Sequence, residues 1–130
     1  MEYYFFYGSL MDRPKLAEIL EKPGWHELHS AKIDGCDCKM WGEYPALVRG
    51  SPEDVIHGMA FEVRTSKERD SLIAYGTAYE TGAYDLQDCV IDLDGRGRVN
   101  GKTFVWNGEF SSLRAGTFDL KDWKLNQERS

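Results

Sequence analysis

The chain is predicted to be α+β: a small, strongly curved mixed β-sheet or barrel with flanking helices. Three observations carry that expectation. Many short apolar stretches are separated by Gly, Pro, Asn and Asp; only two segments have a helical pattern, one after the first stretch and one in the middle; and residues 55–63 alternate with period two. At 130 residues the chain is read as a single domain, 1–130, long enough to bury its own core.

Residues 3–7, Tyr3-Tyr4-Phe5-Phe6-Tyr7, form the first strand. Bulky residues without alternation suit a strand covered on both faces. A helix follows from about Asp12 to Glu21: Asp12 is its N-cap, Pro14 fits its first turn, and Leu16, Ile19 and Leu20 share one side. Pro23-Gly24 is expected to end it. Residues 26–33 and 37–41 read as extended, and a loop leads to Tyr44-Pro45-Ala46-Leu47-Val48. In the next strand Val55, His57, Met59, Phe61 and Val63 face one way, and Gly58 and Ala60 the other.

Thr65-Ser66-Lys67-Glu68 has the spacing of a capping box, and opens a helix with Leu72, Ile73, Tyr75 and Tyr79 inward, ending near Glu80-Thr81-Gly82. Cys89, Ile91 and Leu93 alternate as a strand. Asp94-Gly95 and Asn100-Gly101 are expected to bracket a polar turn, with Lys102 to Trp106 returning as the partner strand. The tail, 118–125, is expected to pack Phe118, Leu120 and Trp123 onto the rest.

Charge narrows the possible partners. The formal net charge is −6, and Arg64, Lys67 and Arg69 are interleaved with Glu62, Glu68 and Asp70, so no basic track for nucleic acid is present. No apolar run approaches a membrane span, and the Met-Glu start lacks the basic and leucine-rich segments of a signal peptide. Three cysteines, an odd number without a scaffold pattern, agree with a reducing compartment; the expected location is cytoplasmic.

Several motifs fail on spacing. Asp92, Asp94 and Gly97 imitate the start of a calcium loop, but Arg96 and Thr103 occupy ligand positions. Cys36-x-Cys38 has neither CxxC spacing nor further ligands, and His26, His29 and His57 are scattered, so no metal site is expected. Ser9 is not in a Gly-x-Ser-x-Gly elbow.

Two places remain. Tyr7-Gly8-Ser9-Leu10 ends the first strand in a turn whose backbone N–H groups can converge on a carboxylate or carbonyl oxygen, although alone it reads as an ordinary strand-to-helix connection. Glu80 stands between Tyr79 and Thr81-Gly82 at an element boundary, where partial desolvation would raise its pKa and suit acid/base work; a solvated helix-end glutamate is the plainer reading.

Together, Tyr7-Gly8-Ser9-Leu10, Tyr44-Pro45-Ala46-Leu47-Val48 and Tyr79-Glu80-Thr81-Gly82-Ala83-Tyr84, in that order and rough spacing, resemble the gamma-glutamylcyclotransferase-like family. The Val55–Val63 strand with Gly58 and the closing pattern from Leu113 to Trp123 extend the resemblance over nearly the whole chain. Departures from the family pattern are Ser9 in place of a frequent threonine, Leu72-Ile73 in place of Leu-Asp, and Tyr79-Glu80-Thr81 in place of Glu-Gly. The resemblance implies a compact mixed barrel, no metal or organic cofactor, and a small-molecule gamma-glutamyl substrate. It implies that Tyr7, Gly8, Ser9 and Leu10 grip the gamma-glutamyl group, that Glu80 is the general acid/base, and that Tyr84 stands beside the substrate. The reaction would be cyclisation to 5-oxoproline with release of an amine or amino acid. Two other readings stand beside it: a non-catalytic module binding a small carboxylate, and a related amine-releasing step in secondary metabolism, with Trp41, Tyr44, Trp106 and Phe110 available to line an enlarged cleft. Neither the leaving amine nor the oligomeric state follows from the sequence.

Overall fold

The computed structural model describes residues 2–24, 26–42, 44–78, 84–116 and 118–129. Among them are strands β1 (Glu2–Phe6), β2 (His29–Asp34), β3 (Cys36–Trp41), β4 (Tyr44–Arg49), β5 (Val55–Val63), β6 (Tyr84–Leu93) and β7 (Gly97–Trp106). The helices are α1 (Arg13–Leu20), α2 (Ser66–Ala78) and α3 (Leu120–Arg129), and short 3-10 turns lie at Ser9–Met11 and Phe110–Ser112. Five strands close a barrel in the order β1-β5-β2-β6-β7. The closure is parallel, Tyr3 to Phe5 pairing with Gly101 to Thr103, whereas β1 and β5 run antiparallel from Glu2↔Val63 to Phe6↔Met59. The seams are unequal: β6 and β7 share ten residue pairs, β2 and β6 only Ala31↔Leu93 and Lys32↔Asp92. Strands β3 and β4 form a separate hairpin paired from Cys36↔Arg49 to Trp41↔Tyr44.

Strand β1 explains its unbroken aromatic sequence. Tyr4 and Phe6 point outward, into a cluster with Leu16 and Leu20 of α1 and Leu72 of α2. Phe5 and, just beyond the strand, Tyr7 point inward, into the barrel with Ala31, Ile33, Leu47, Ala60 and Ile91. Leu16, Leu20 and Leu72 are almost wholly buried, each worth about 1.5–3 kcal/mol relative to exposure. On β5 the same division puts Phe61 and Val63 under the helices and Ala60 inside the barrel.

Helix ends follow the local chemistry. Asp12 Oδ2 accepts the Lys15 N–H at 3.2 Å and caps α1, while its Oδ1 lies 3.2 Å from Lys124 Nζ of α3. Helix α1 stops at Glu21, in left-handed conformation with φ 55°, before Pro23-Gly24 is reached. The capping box of α2 forms: Thr65 Oγ1 accepts the Glu68 N–H at 3.1 Å, and Glu68 Oε1 accepts the Arg64 N–H at 2.9 Å.

Two expectations need correction. The hairpin turn is 94–96 alone, and Asn100-Gly101 lies within β7, because Gly101 marks a strand position where β1 crosses so closely that a Cβ would strike the Tyr3 carbonyl. The tail is also more regular than anticipated: residues 120–129 are helical, with Trp123 buried. No helix is long and apolar enough to cross a membrane among the described residues.

Candidate functional site

A cleft opens where the end of β1, the start of β4, the later turns of α2, the first residue of β6 and Phe104 of β7 meet. It is framed by Tyr7 to Leu10 on one side, Tyr44 and Pro45 on another, and Tyr75, Gly76 and Tyr84 beyond. Its free volume is about 80 Å³.

The glycine turn is built by its neighbours. Gly8 has φ −136°, accessible to any residue, so its lack of a side chain matters for space: a Cβ there would lie 2.9 Å from Pro45 Cγ. Pro45 also accepts, through its carbonyl, a 2.8 Å hydrogen bond from Tyr84 Oη. One residue of β4 therefore locates both the turn and Tyr84. Met11 and Asp12 donate to the carbonyls of Gly8 and Ser9 at 3.0 and 3.1 Å. The N–H groups of Gly8, Ser9 and Leu10 have no hydrogen-bond acceptor among the described residues, although Ser9 and Leu10 are buried. Main-chain N–H groups of such a turn that have no acceptor in the chain suit an anionic or carbonyl ligand.

Side chains around the turn have distinct roles. Tyr7 Oη donates to the Phe104 carbonyl at 2.5 Å and accepts the Leu47 N–H at 3.3 Å. Burial, with the nearby Tyr84 adding to it, pushes the Tyr7 phenol well above its usual range. Tyr7 is thus a neutral structural pin in the cleft wall. Ser9 Oγ and Tyr75 Oη are 2.8 Å apart, and either can donate. Lys15 Nζ stands 5.6 Å from the centre of the Tyr75 ring and pairs with Glu18 at 2.9 Å.

Of the residues singled out in the sequence, the fold brings Tyr7, Gly8, Ser9, Leu10 and Tyr84 to this one cleft. Glu80 lies outside the described residues. Gly76 and Tyr84, four positions before and after it in the chain, both line the cleft. Sequence reasoning missed Phe104 and the hydroxyl pairing of Tyr75; placing Tyr75 on the inward face of a helix was the available signal. Tyr44 lines the cleft, Trp41 and Trp106 pack on Tyr84, and Phe110 borders a different groove.

That groove, about 790 Å³, lies along the loosely paired β2–β6 side of the barrel. Its rim carries the Arg98–Asp34 ion pair at 3.2 Å, and its floor includes Cys36 and Cys89. Burial, with lesser contributions from Cys36 and Asp88, pushes the Cys89 thiol up to about 12, far from nucleophilic use. No group of three or more potential metal ligands occurs among the described residues.

The sequence profile of one family, described as "gamma-glutamyl cyclotransferase, AIG2-like", matches residues 4–125. Among solved structures, one resembling the chain is a solution structure from Arabidopsis thaliana: 23% identity, TM-score 0.72, covering 98% of this chain and 83% of that one. An AIG2-like protein of Mus musculus gives 16% identity and a TM-score of 0.65 over 92% of this chain and 88% of its own. A gamma-glutamyl cyclotransferase specific to glutathione from yeast gives 13% identity and 0.59 over 81% and 68%. At these identities the likeness concerns the fold. No curated protein matches the chain.

Proposed function

The chain belongs to the gamma-glutamyl cyclotransferase, AIG2-like family, and from that premise we propose that it cyclises a gamma-glutamyl amide to 5-oxoproline, with Glu80 as general acid/base. The observation carrying this reading is that Gly8, Ser9 and Leu10, whose N–H groups have no acceptor among the described residues, line one cleft with Gly76 and Tyr84, which flank Glu80 in sequence.

The chemistry is internal to the substrate. Its α-ammonium gives a proton to Glu80, and the freed amine attacks the γ-carbonyl, forming the ring C–N bond and placing negative charge on the carbonyl oxygen. Collapse of that oxyanion breaks the original amide bond while Glu80 gives its proton to the departing nitrogen; the ring nitrogen then loses its surplus proton through Glu80 to solvent, which leaves the lactam N–H and an ionised Glu80. The products are 5-oxoproline and the free amine. Confinement in a narrow cleft favours the folded conformation that reacts, and correct orientation is worth up to ~7–11 kcal/mol of barrier. The turn's N–H groups stabilise either the substrate carboxylate or the oxyanion. Each step uses only groups of the chain, the substrate and solvent. The three free thiols suit the cytoplasmic setting we assign to it.

Release of 5-oxoproline from gamma-glutamyl amides, compared between wild type and Glu80→Gln, tests the assignment. Loss of the acid/base is expected to lower kcat on the order of 100- to 10,000-fold. Equal turnover by the two proteins would remove Glu80 from the mechanism. Saturable binding of gamma-glutamyl compounds without product from either would favour a carboxylate-binding module.

A further inference from the structure

Resting on the ring-closure reading, we propose that Tyr75 is a positioning residue for the hydroxyl of Ser9. It donates its phenol proton to Ser9 Oγ and thereby turns the serine's own proton into the cleft, as a side-chain donor to an oxygen of the gamma-glutamyl group.

The hydroxyls of this cleft have different duties. Tyr7 and Tyr84 spend their protons on the carbonyls of Phe104 and Pro45 and so hold the wall together. Ser9 Oγ and Tyr75 Oη are 2.8 Å apart, and both residues line the cleft. They come from different elements, the turn after β1 and the later part of α2, so their hydrogen bond ties that turn to the helix.

Chemistry sets the direction of the bond. A phenol is the stronger proton donor of the two, and an aliphatic hydroxyl the better acceptor. Lys15 Nζ, 5.6 Å from the centre of the Tyr75 ring, draws on the ring's electrons and favours the phenol as donor still further. Ser9 Oγ then accepts, and its own proton has no acceptor among the described residues. Ser9 is only 7% exposed and lines the cleft, so a ligand in the cleft is what that proton can reach. Without the phenol the serine hydroxyl rotates to suit whatever is near, and its proton faces the ligand only part of the time. The reaction's balance is unchanged, because Ser9 shares its proton and does not transfer it.

The test measures 5-oxoproline release by the full chain from the best of gamma-glutamylalanine, gamma-glutamylmethylamide and gamma-glutamylcysteinylglycine. The variants are Ser9→Ala, Ser9→Thr and Tyr75→Phe, with each Ser9 substitution also made in the Tyr75→Phe background, and kcat/KM is referred to the folded fraction read from urea titration. Expected are losses of roughly tenfold or more in Ser9→Ala and in Tyr75→Phe, with their combination no worse than the poorer of the two. Ser9→Thr restores a hydroxyl, so it should outperform Ser9→Ala severalfold beside Tyr75 and show no advantage in the Tyr75→Phe background. A rescue that depends on the phenol of another element is something packing alone does not produce. Losses that multiply in the combined variant, a threonine advantage that survives without the phenol, or an undiminished kcat/KM in Tyr75→Phe each overturn the positioning role while leaving ring closure intact. Absence of 5-oxoproline from the wild type with all three substrates overturns ring closure, and the positioning role with it.

Discussion

Tyr7 is pinned in the cleft wall by two bonds to main-chain groups 97 and 40 positions away, Phe104 O and Leu47 N–H. Tyr7→Phe keeps the ring and orphans both partners in a dry setting. The expected loss is about 1–3 kcal/mol for each group left unpaired, read as a lower urea midpoint. An unchanged midpoint would mean that water replaces the hydroxyl. The sequence singled out Tyr7 to Leu10 as a turn, but not the reason Gly8 is needed. Pro45 fills the space beside it, and a proline in a distant strand leaves no local mark on the glycine it meets. Glu80 was singled out through its aromatic and glycine neighbours and lies outside the described residues, whereas Phe104, which lines the cleft, read as one more apolar residue of a strand.

Helix α2 delivers Tyr75 and Gly76 to the cleft, and its other end is fixed by Glu68. Burial tends to raise the Glu68 pKa, but the Arg64 N–H, the Lys22 ammonium and the Thr65 N–H more than offset it, leaving the carboxyl below its ordinary 4.5. A lowered folded-state pKa stabilises the fold above about pH 4.5, and that contribution fades as pH falls through the lowered value. Glu68→Gln is therefore expected to cost about 1 kcal/mol at pH 7. Its deficit against wild type should shrink in urea titrations carried below pH 4; a deficit independent of pH would assign the loss to shape rather than charge. This end of the helix was readable because a capping box is a strictly local code. Helix α3 was not, since among its described side chains Trp123 alone is buried and the rest resemble a polar tail. Asn100-Gly101 misled for the opposite reason: a pair that favours turns serves in β7 to let another strand pass close by.

Across the molecule, barrel cohesion is uneven. The β2–β6 seam has two residue pairs, and Cys36 and Cys89 lie in the groove beside it. Burial disfavours the thiolate of Cys89, so its alkylation at pH 8 should be much slower in the folded protein than in urea-unfolded chains. It should accelerate at urea concentrations below the global transition if this seam opens first. Labelling that begins only with global unfolding would show the barrel yielding as one unit. The curved sheet and its helical cover were legible in the alternating and doubly covered strands. The strand order was not, because pairing partners such as β1 and β7 lie nearly a hundred positions apart.

That distance has a kinetic meaning. Strand β1 sits between β5 and β7, so the earliest of these segments to leave a ribosome finds its flanks only after the latest has been made. Assembly governed by such remote pairings belongs to the slow end of folding rates, on the order of milliseconds to seconds. Gly8 and its neighbours follow β1 directly, which ties completion of the cleft to the last clasp of the barrel.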